Sequence, residues 1–111
     1  GRVAVLGRLD DVVVTGGVNV DLAEVRRLAA ELTGPPEEGG VLIVGVPDRE
    51  WGTRIVAAST GLHDLAELRR RLADHLTSVA LPKELRRVDG WPRTASGKID
   101  LRAVASAWRV T

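Results

Sequence analysis

With 111 residues, 44% of them hydrophobic and 28% charged, the chain has the balance of one globular domain with a modest core, which excludes a disordered segment. Lys and Arg number 16 against 15 Asp and Glu, a net charge of +1 that is too even for a general nucleic-acid binder. No apolar run approaches the roughly 18 residues that span a bilayer, and there is no cysteine. A membrane span, thiolate catalysis, disulfides and zinc–thiolate sites are thereby excluded, and a cytoplasmic protein is expected.

In chain order, Val3-Ala4-Val5-Leu6 and Val12-Val13-Val14 are β-branched runs on either side of Gly7-Arg8-Leu9-Asp10-Asp11, a pattern that predicts an N-terminal hairpin with a polar turn. Gly16-Gly17 breaks the second run. Asp21 with Glu24 has capping-box spacing, and Val25, Leu28, Ala29 and Leu32 follow at helical intervals, predicting a helix over 22–32 that Thr33-Gly34-Pro35-Pro36 stops. Val41-Leu42-Ile43-Val44-Gly45-Val46 is a continuous apolar run, expected as a strand buried on both faces. Residues 47–52 read as a turn, and Arg54 to Thr60 returns as the neighbouring strand.

Asp64 and Glu67 repeat the cap spacing, and Leu65, Leu68, Leu72 and Leu76 predict a second helix over about 65–78. A short strand over Glu84 to Val88 is expected next. Asp100 caps a last helix with Leu101, Val104, Ala105 and Trp108 on one side. The order predicts an α+β domain, a small central sheet with flanking helices and an N-terminal hairpin. The chain starts at Gly1 in what reads as a strand, so a piece of a longer protein is expected.

Residues 1–60 carry 6 bases against 9 acids and residues 61–111 carry 10 against 6, a split that ordinary solvated helix faces explain. His63 and His75 lie without clustered carboxylates, so no metal site is expected. The chemistry-bearing candidates sit in loops. Lys98 ends Pro92-Arg93-Thr94-Ala95-Ser96-Gly97-Lys98-Ile99, a small-residue stretch that presents a compact positive charge suited to offsetting carboxylate or phosphate charge. Taken alone it fits a surface lysine before a helix better, and no glycine stands at the interval a P-loop requires. Asp10 and Arg8 fit turn chemistry as well as a pivot. Gly16-Gly17 would admit a narrow ligand close to the backbone or simply end a strand, and Trp51 offers a stacking surface or anchors its own turn.

Together, Gly7-Arg8-Leu9-Asp10-Asp11, Thr15-Gly16-Gly17-Val18-Asn19-Val20 with Ala23-Glu24-Val25, Val46-Pro47-Asp48-Arg49-Glu50-Trp51-Gly52 and Pro92-Arg93-Thr94-Ala95-Ser96-Gly97-Lys98 resemble, in order, the C-terminal domain of the adenylate-forming superfamily of acyl-CoA synthetases, adenylation domains and luciferases. The resemblance covers essentially the whole chain. It implies a single lid domain over 1–111, with a hinge near 8–11. A large N-terminal domain of the same polypeptide would hold ATP, the acid and Mg2+, and CoA would be the thiol substrate.

Carried onto this sequence, the resemblance makes Lys98 the adenylation lysine, Asp10 the hinge and Arg8 the nucleotide contact at the ribose. Gly16, Gly17 and Trp51 would line the CoA pantetheine channel. Relatives often carry an aromatic-Lys-x-Pro segment where this chain has Val79-Ala80-Leu81-Pro82-Lys83, which leaves Lys83 as the phosphate contact. The Thr15–Val20 variant is similar to that of bacterial o-succinylbenzoate–CoA ligases of menaquinone synthesis. The lid by itself is expected to be inactive. Two other readings stand beside this one, an adenylation domain that loads a carrier protein and a stand-alone, non-catalytic interaction domain.

Overall fold

The computed structural model describes residues 11–108. Val3–Leu6, Arg8 and Asp10 lie outside the described residues, so the expected pairing of the first two apolar runs does too. A hairpin does stand at the N-terminal side, between β1 (Val12–Thr15) and β2 (Val18–Asp21). Its turn is Gly16-Gly17, with φ of 58° and 81°. Two successive positive φ values are what a tight two-residue turn needs to match strand twist, and glycine supplies them without steric cost. Gly16-Gly17 therefore joins two strands, where the sequence pattern indicates only a break and gives no sign of β2.

Asp21 caps α1 (Leu22–Thr33) by accepting from the Ala23 N–H at 3.0 Å. The reciprocal half of the expected capping box is replaced, because Glu24 turns to Arg27 at 2.6 Å. Gly34, at φ 98°, ends the helix and donates to the Ala30 carbonyl. After a single 3-10 turn at Pro36–Glu38, β3 (Val41–Asp48) and β4 (Gly52–Ser59) form the central antiparallel pair. α2 spans Leu65–Leu72, shorter than the expected 65–78. Leu76 still packs against the core, but from a turn closed by Leu76 N–H to Leu72 C=O at 3.0 Å. A 3-10 turn at Ser78–Ala80, strand β5 (Leu85–Arg87) and helix α3 (Leu101–Ser106), capped by Asp100, complete the chain.

The sheet runs β2-β1-β4-β3, and β5 joins β4 in parallel. Since β3 occupies one edge of β4 throughout, β1 meets the start of the other edge at Gly52 and β5 its end at Ala57–Ser59. Strand periodicity divides the buried residues into two layers. Val41, Ile43, Ile55 and Ala57 pack under Val25, Leu28 and Ala29 of α1 and Leu68 and Leu72 of α2. Leu42, Val44, Val46, Val56 and Ala58 face the other way, under Val104, Trp108, Trp91 and Ile99. β3 is thus buried on both faces, as its unbroken apolar run implies.

β3 is also an edge strand, and its outer edge is managed. Arg26 of α1 donates to the Ile43 carbonyl at 2.8 Å, and the Val41 N–H donates to Thr33 Oγ1 at 2.9 Å. Pro47 has the same parity as these residues, so its missing N–H removes no ladder bond, and the strand runs on to Asp48 instead of turning at Pro47.

Candidate functional site

The loop bearing Lys98 is a small closed hairpin. Arg93 bridges Ile99, the Thr94 N–H donates to the Lys98 carbonyl at 2.8 Å, and the Gly97 N–H donates to the Thr94 carbonyl at 2.9 Å. The Lys98 N–H donates to Thr94 Oγ1 at 3.3 Å, and Gly97 takes φ 90° at the reversal. Ile99 packs into the α3-side core, so its neighbour Lys98 is left on the outside, exposed. Its ammonium has no ion-pair partner among the described residues.

Three hydrogen bonds tie this loop to the segment just before β3. Trp91 Nε1 donates to the Pro36 carbonyl at 3.0 Å, and the Arg93 guanidinium grips both carboxylate oxygens of Glu37 at 2.6 Å each. The Arg93 hydrogen bonds hold the Glu37 carboxyl below the usual range, and Glu37 pushes the Arg93 guanidinium up. Sequence reasoning misses Glu37, because 56 residues separate it from its partner and nothing local marks it.

A second locus gathers at the other end of β3. Trp51 is half-buried in the β3–β4 turn, Lys83 lies over its ring with Nζ 4.1 Å from the ring centre, and the Gly16 N–H donates to the Trp51 carbonyl at 3.0 Å. A Cβ on Gly16 would lie 2.9 Å from the Trp51 indole, whereas a Cβ on Gly17 meets nothing within 4 Å. Gly16 is therefore required by packing within this domain, and Gly17 leaves an open approach to the backbone. Asp48 fixes the turn, its Oδ1 accepting from the Glu50 and Trp51 N–H groups at 2.8 Å each. The bond from Trp51 is the main cause that holds the Asp48 carboxyl below its ordinary value, with Glu50, Arg54 and Lys83 adding to it and desolvation opposing.

The structure thus brings Gly16, Gly17, Trp51 and Lys83 together and keeps Lys98 apart from them. The Lys98 loop is anchored before β3 and Trp51 follows its end, and the eight residues of β3 span roughly 25 Å. An open cleft of about 950 Å³ lies between the β3–β4 turn and α3, but it is lined by Arg49, Arg54, Arg102 and Trp108 and not by these residues. Asp11, the last residue of the motif containing Arg8 and Asp10, is tethered to Arg26 Nη1 at 3.1 Å. Among the described residues no three His, Cys, Asp or Glu side chains gather to hold a metal, and no helix is long and apolar enough to cross a membrane.

Comparison with known proteins adds to this geometry. The AMP-binding enzyme C-terminal domain family matches residues 36–98. A 2-succinylbenzoate–CoA ligase from Listeria monocytogenes is 36% identical over 101 residues, covering 89% of this chain and 21% of the ligase. An isonitrile lipopeptide synthase from Mycobacterium tuberculosis is 35% identical over 108 residues, 94% of this chain and 4% of the synthase. The crystal structure of apo MatB from Rhodopseudomonas palustris superposes with a TM-score of 0.73 at 28% identity, over 93% of this chain and 21% of MatB. The chain spans about a fifth of the length of the CoA ligase it matches.

Proposed function

Because this chain belongs to the AMP-binding enzyme C-terminal domain family, we propose that it is the lid of an ATP-dependent acyl- or aryl-CoA ligase, working against the large N-terminal domain of the same polypeptide. The observation that carries this reading is the separation of an exposed Lys98, with no ion-pair partner among the described residues, from the Gly16–Gly17–Trp51–Lys83 cluster at the far end of β3. In the first step a carboxylate oxygen of the acid attacks the α-phosphorus of ATP and pyrophosphate leaves, giving an acyl-adenylate. Lys98 offsets the negative charge that accumulates as two anions meet. In the second step the thiol sulfur of CoA attacks the acyl carbon, the thiol proton departs, and AMP is the leaving group.

Gly17 leaves room for the pantetheine arm beside Trp51, and Lys83 supplies a cation for the phosphates of CoA. A lid that presents its two ends in turn gives each step its own residues. Asp10 is assigned as the pivot and Arg8 as the ribose contact. ATP and CoA enter as substrates. Mg2+ belongs, in this reading, with the large domain, and no step here is routed through it. The full-length protein is placed in the cytoplasm, in keeping with its lack of cysteine in this domain.

At finer grain, the acid is assigned as 2-succinylbenzoate, supported by the Listeria relative and by the Thr15–Val20 loop. A carrier-protein thiol in place of CoA is the second reading. It is favoured by Val79–Lys83, which offers no aromatic side chain to a CoA adenine, and by the similarity to the lipopeptide synthase. Assays of the full-length protein with CoA and with a holo-carrier protein as acceptor separate the two. In that protein Lys98→Ala is expected to lower ATP–pyrophosphate exchange by about 10²–10³-fold while sparing thioester formation from a supplied acyl-adenylate. Equal loss in both half-reactions would show that the lysine has been given the wrong role.

A further inference from the structure

We infer that Arg93 and Glu37 are positioning residues for the adenylation step, forming a latch that fixes the direction in which Lys98 leaves the fold. The inference rests on the reading of Lys98 as the adenylation lysine. Three observations carry it. The Arg93 guanidinium forks onto both Glu37 oxygens at 2.6 Å, and its Nη1 also donates to the Gly97 carbonyl at 3.2 Å. That carbonyl belongs to the peptide unit that leads into Lys98, so Arg93 clamps the backbone at the base of the lysine. Gly97 itself, at φ 90° and with nothing within 4 Å of where a Cβ would stand, has no side chain to restrain that peptide. Without Arg93, among the described residues that peptide keeps one hydrogen bond, from the Lys98 N–H to Thr94 Oγ1.

Glu37 is the fixed end of the latch. It sits in the 3-10 turn Pro36–Glu38, whose Pro36 carbonyl is held by Trp91 Nε1 and which precedes β3. The loop is thereby tied to the segment that enters β3, a strand buried on both faces. The pair is half-exposed, and exposed ion pairs add little to fold stability, so support of the fold is a weak account of it. A bidentate fork, by contrast, restricts orientation. Glu37 also neutralises Arg93, which leaves Lys98 as the cation of this loop with no ion-pair partner among the described residues.

The test is made in the full-length protein with Glu37→Ala, Arg93→Ala and Arg93→Lys, measured in each half-reaction with Lys98→Ala alongside. Each latch variant is expected to lower kcat for ATP–pyrophosphate exchange about ten- to a hundredfold, with KM for ATP and thioester formation from supplied acyl-adenylate within about twofold of the parent. Arg93→Lys keeps the charge but cannot fork, so it should behave as Arg93→Ala does. The Glu37→Ala/Arg93→Ala double variant should be no worse than Arg93→Ala alone, since one latch is lost in both. If Lys98→Ala abolishes exchange while the latch variants stay within twofold, or if they depress both half-reactions alike, the latch is refuted and the reading of Lys98 stands. If Lys98→Ala leaves exchange intact, that reading falls and the latch with it.

Discussion

Gly16 and Gly17 are adjacent in sequence and alike in conformation, yet the structure gives them different reasons to lack a side chain. At Gly16 a methyl group would drive into the Trp51 indole at 2.9 Å, in addition to straining a φ of 58°. At Gly17 the strain of φ 81° is the whole cost, because nothing lies within 4 Å. Gly16→Ala should therefore destabilise the domain by about 2–4 kcal/mol and Gly17→Ala by about 1 kcal/mol, read from urea midpoints. Adding Trp51→Ala to Gly16→Ala should cost less than the two changes summed, because the collision partner is gone. Sequence shows that both positions are glycine and leaves Trp51 without an obvious partner. It does not show which glycine carries the indole, since that contact crosses two turns.

Asp48 makes a pH-dependent contribution whose sign follows from its depressed carboxyl. A group held below its ordinary value of 3.8 stabilises the fold fully above that value, and the benefit is lost as pH falls through the lowered one. Asp48→Asn keeps an oxygen that accepts from the Glu50 and Trp51 N–H groups but cannot titrate. Its stability should fall less than the parent's between about pH 6 and about pH 3, as measured by denaturant unfolding across that range. A parent and variant with parallel acid profiles would show that the turn does not depend on the charge.

Among the elements, those set by local rules are legible in the sequence and those set by distant contacts are not. The N-caps Asp21, Asp64 and Asp100 all accept from a backbone N–H in the first turn, as their spacing predicts. The unbroken run Val41–Val46 correctly implies a strand covered on both sides. α2 is shorter than its pattern because Leu76 keeps helical spacing while lying in a turn, and periodicity alone does not separate the two. β2 is hidden because a glycine pair ends a strand and turns a hairpin with the same residues. The ties of Arg26 are invisible for a different reason, since its two partners, Asp11 and the Ile43 carbonyl, lie 15 and 17 residues away.

Those ties make Arg26 an anchor for the segment that leads into the domain. Arg26→Met should destabilise the fold by about 1–3 kcal/mol and raise hydrogen exchange at Asp11 more than in the core of α1. Uniform exchange along both segments would argue against a local tether.

For the whole molecule, the resemblance in four motifs locates the loops and the family, and the α+β class follows from element order. The distance between the loops comes only from the fold. The Lys98 loop is tied to the segment before β3, and the Gly17–Trp51–Lys83 cluster lies at the turn after β3, beyond its far end. In the proposed reading, a domain built this way serves the two steps by turning between them.

The most direct test of that account compares two variants of the full-length protein in the two isolated half-reactions. Lys98→Ala should lose adenylation and keep thioester formation, while Gly17→Val, which fills the open approach beside Trp51, should keep adenylation and lose thioester formation by about tenfold or more. Both variants impairing the same half-reaction would contradict the assignment of the two ends of the domain to separate steps.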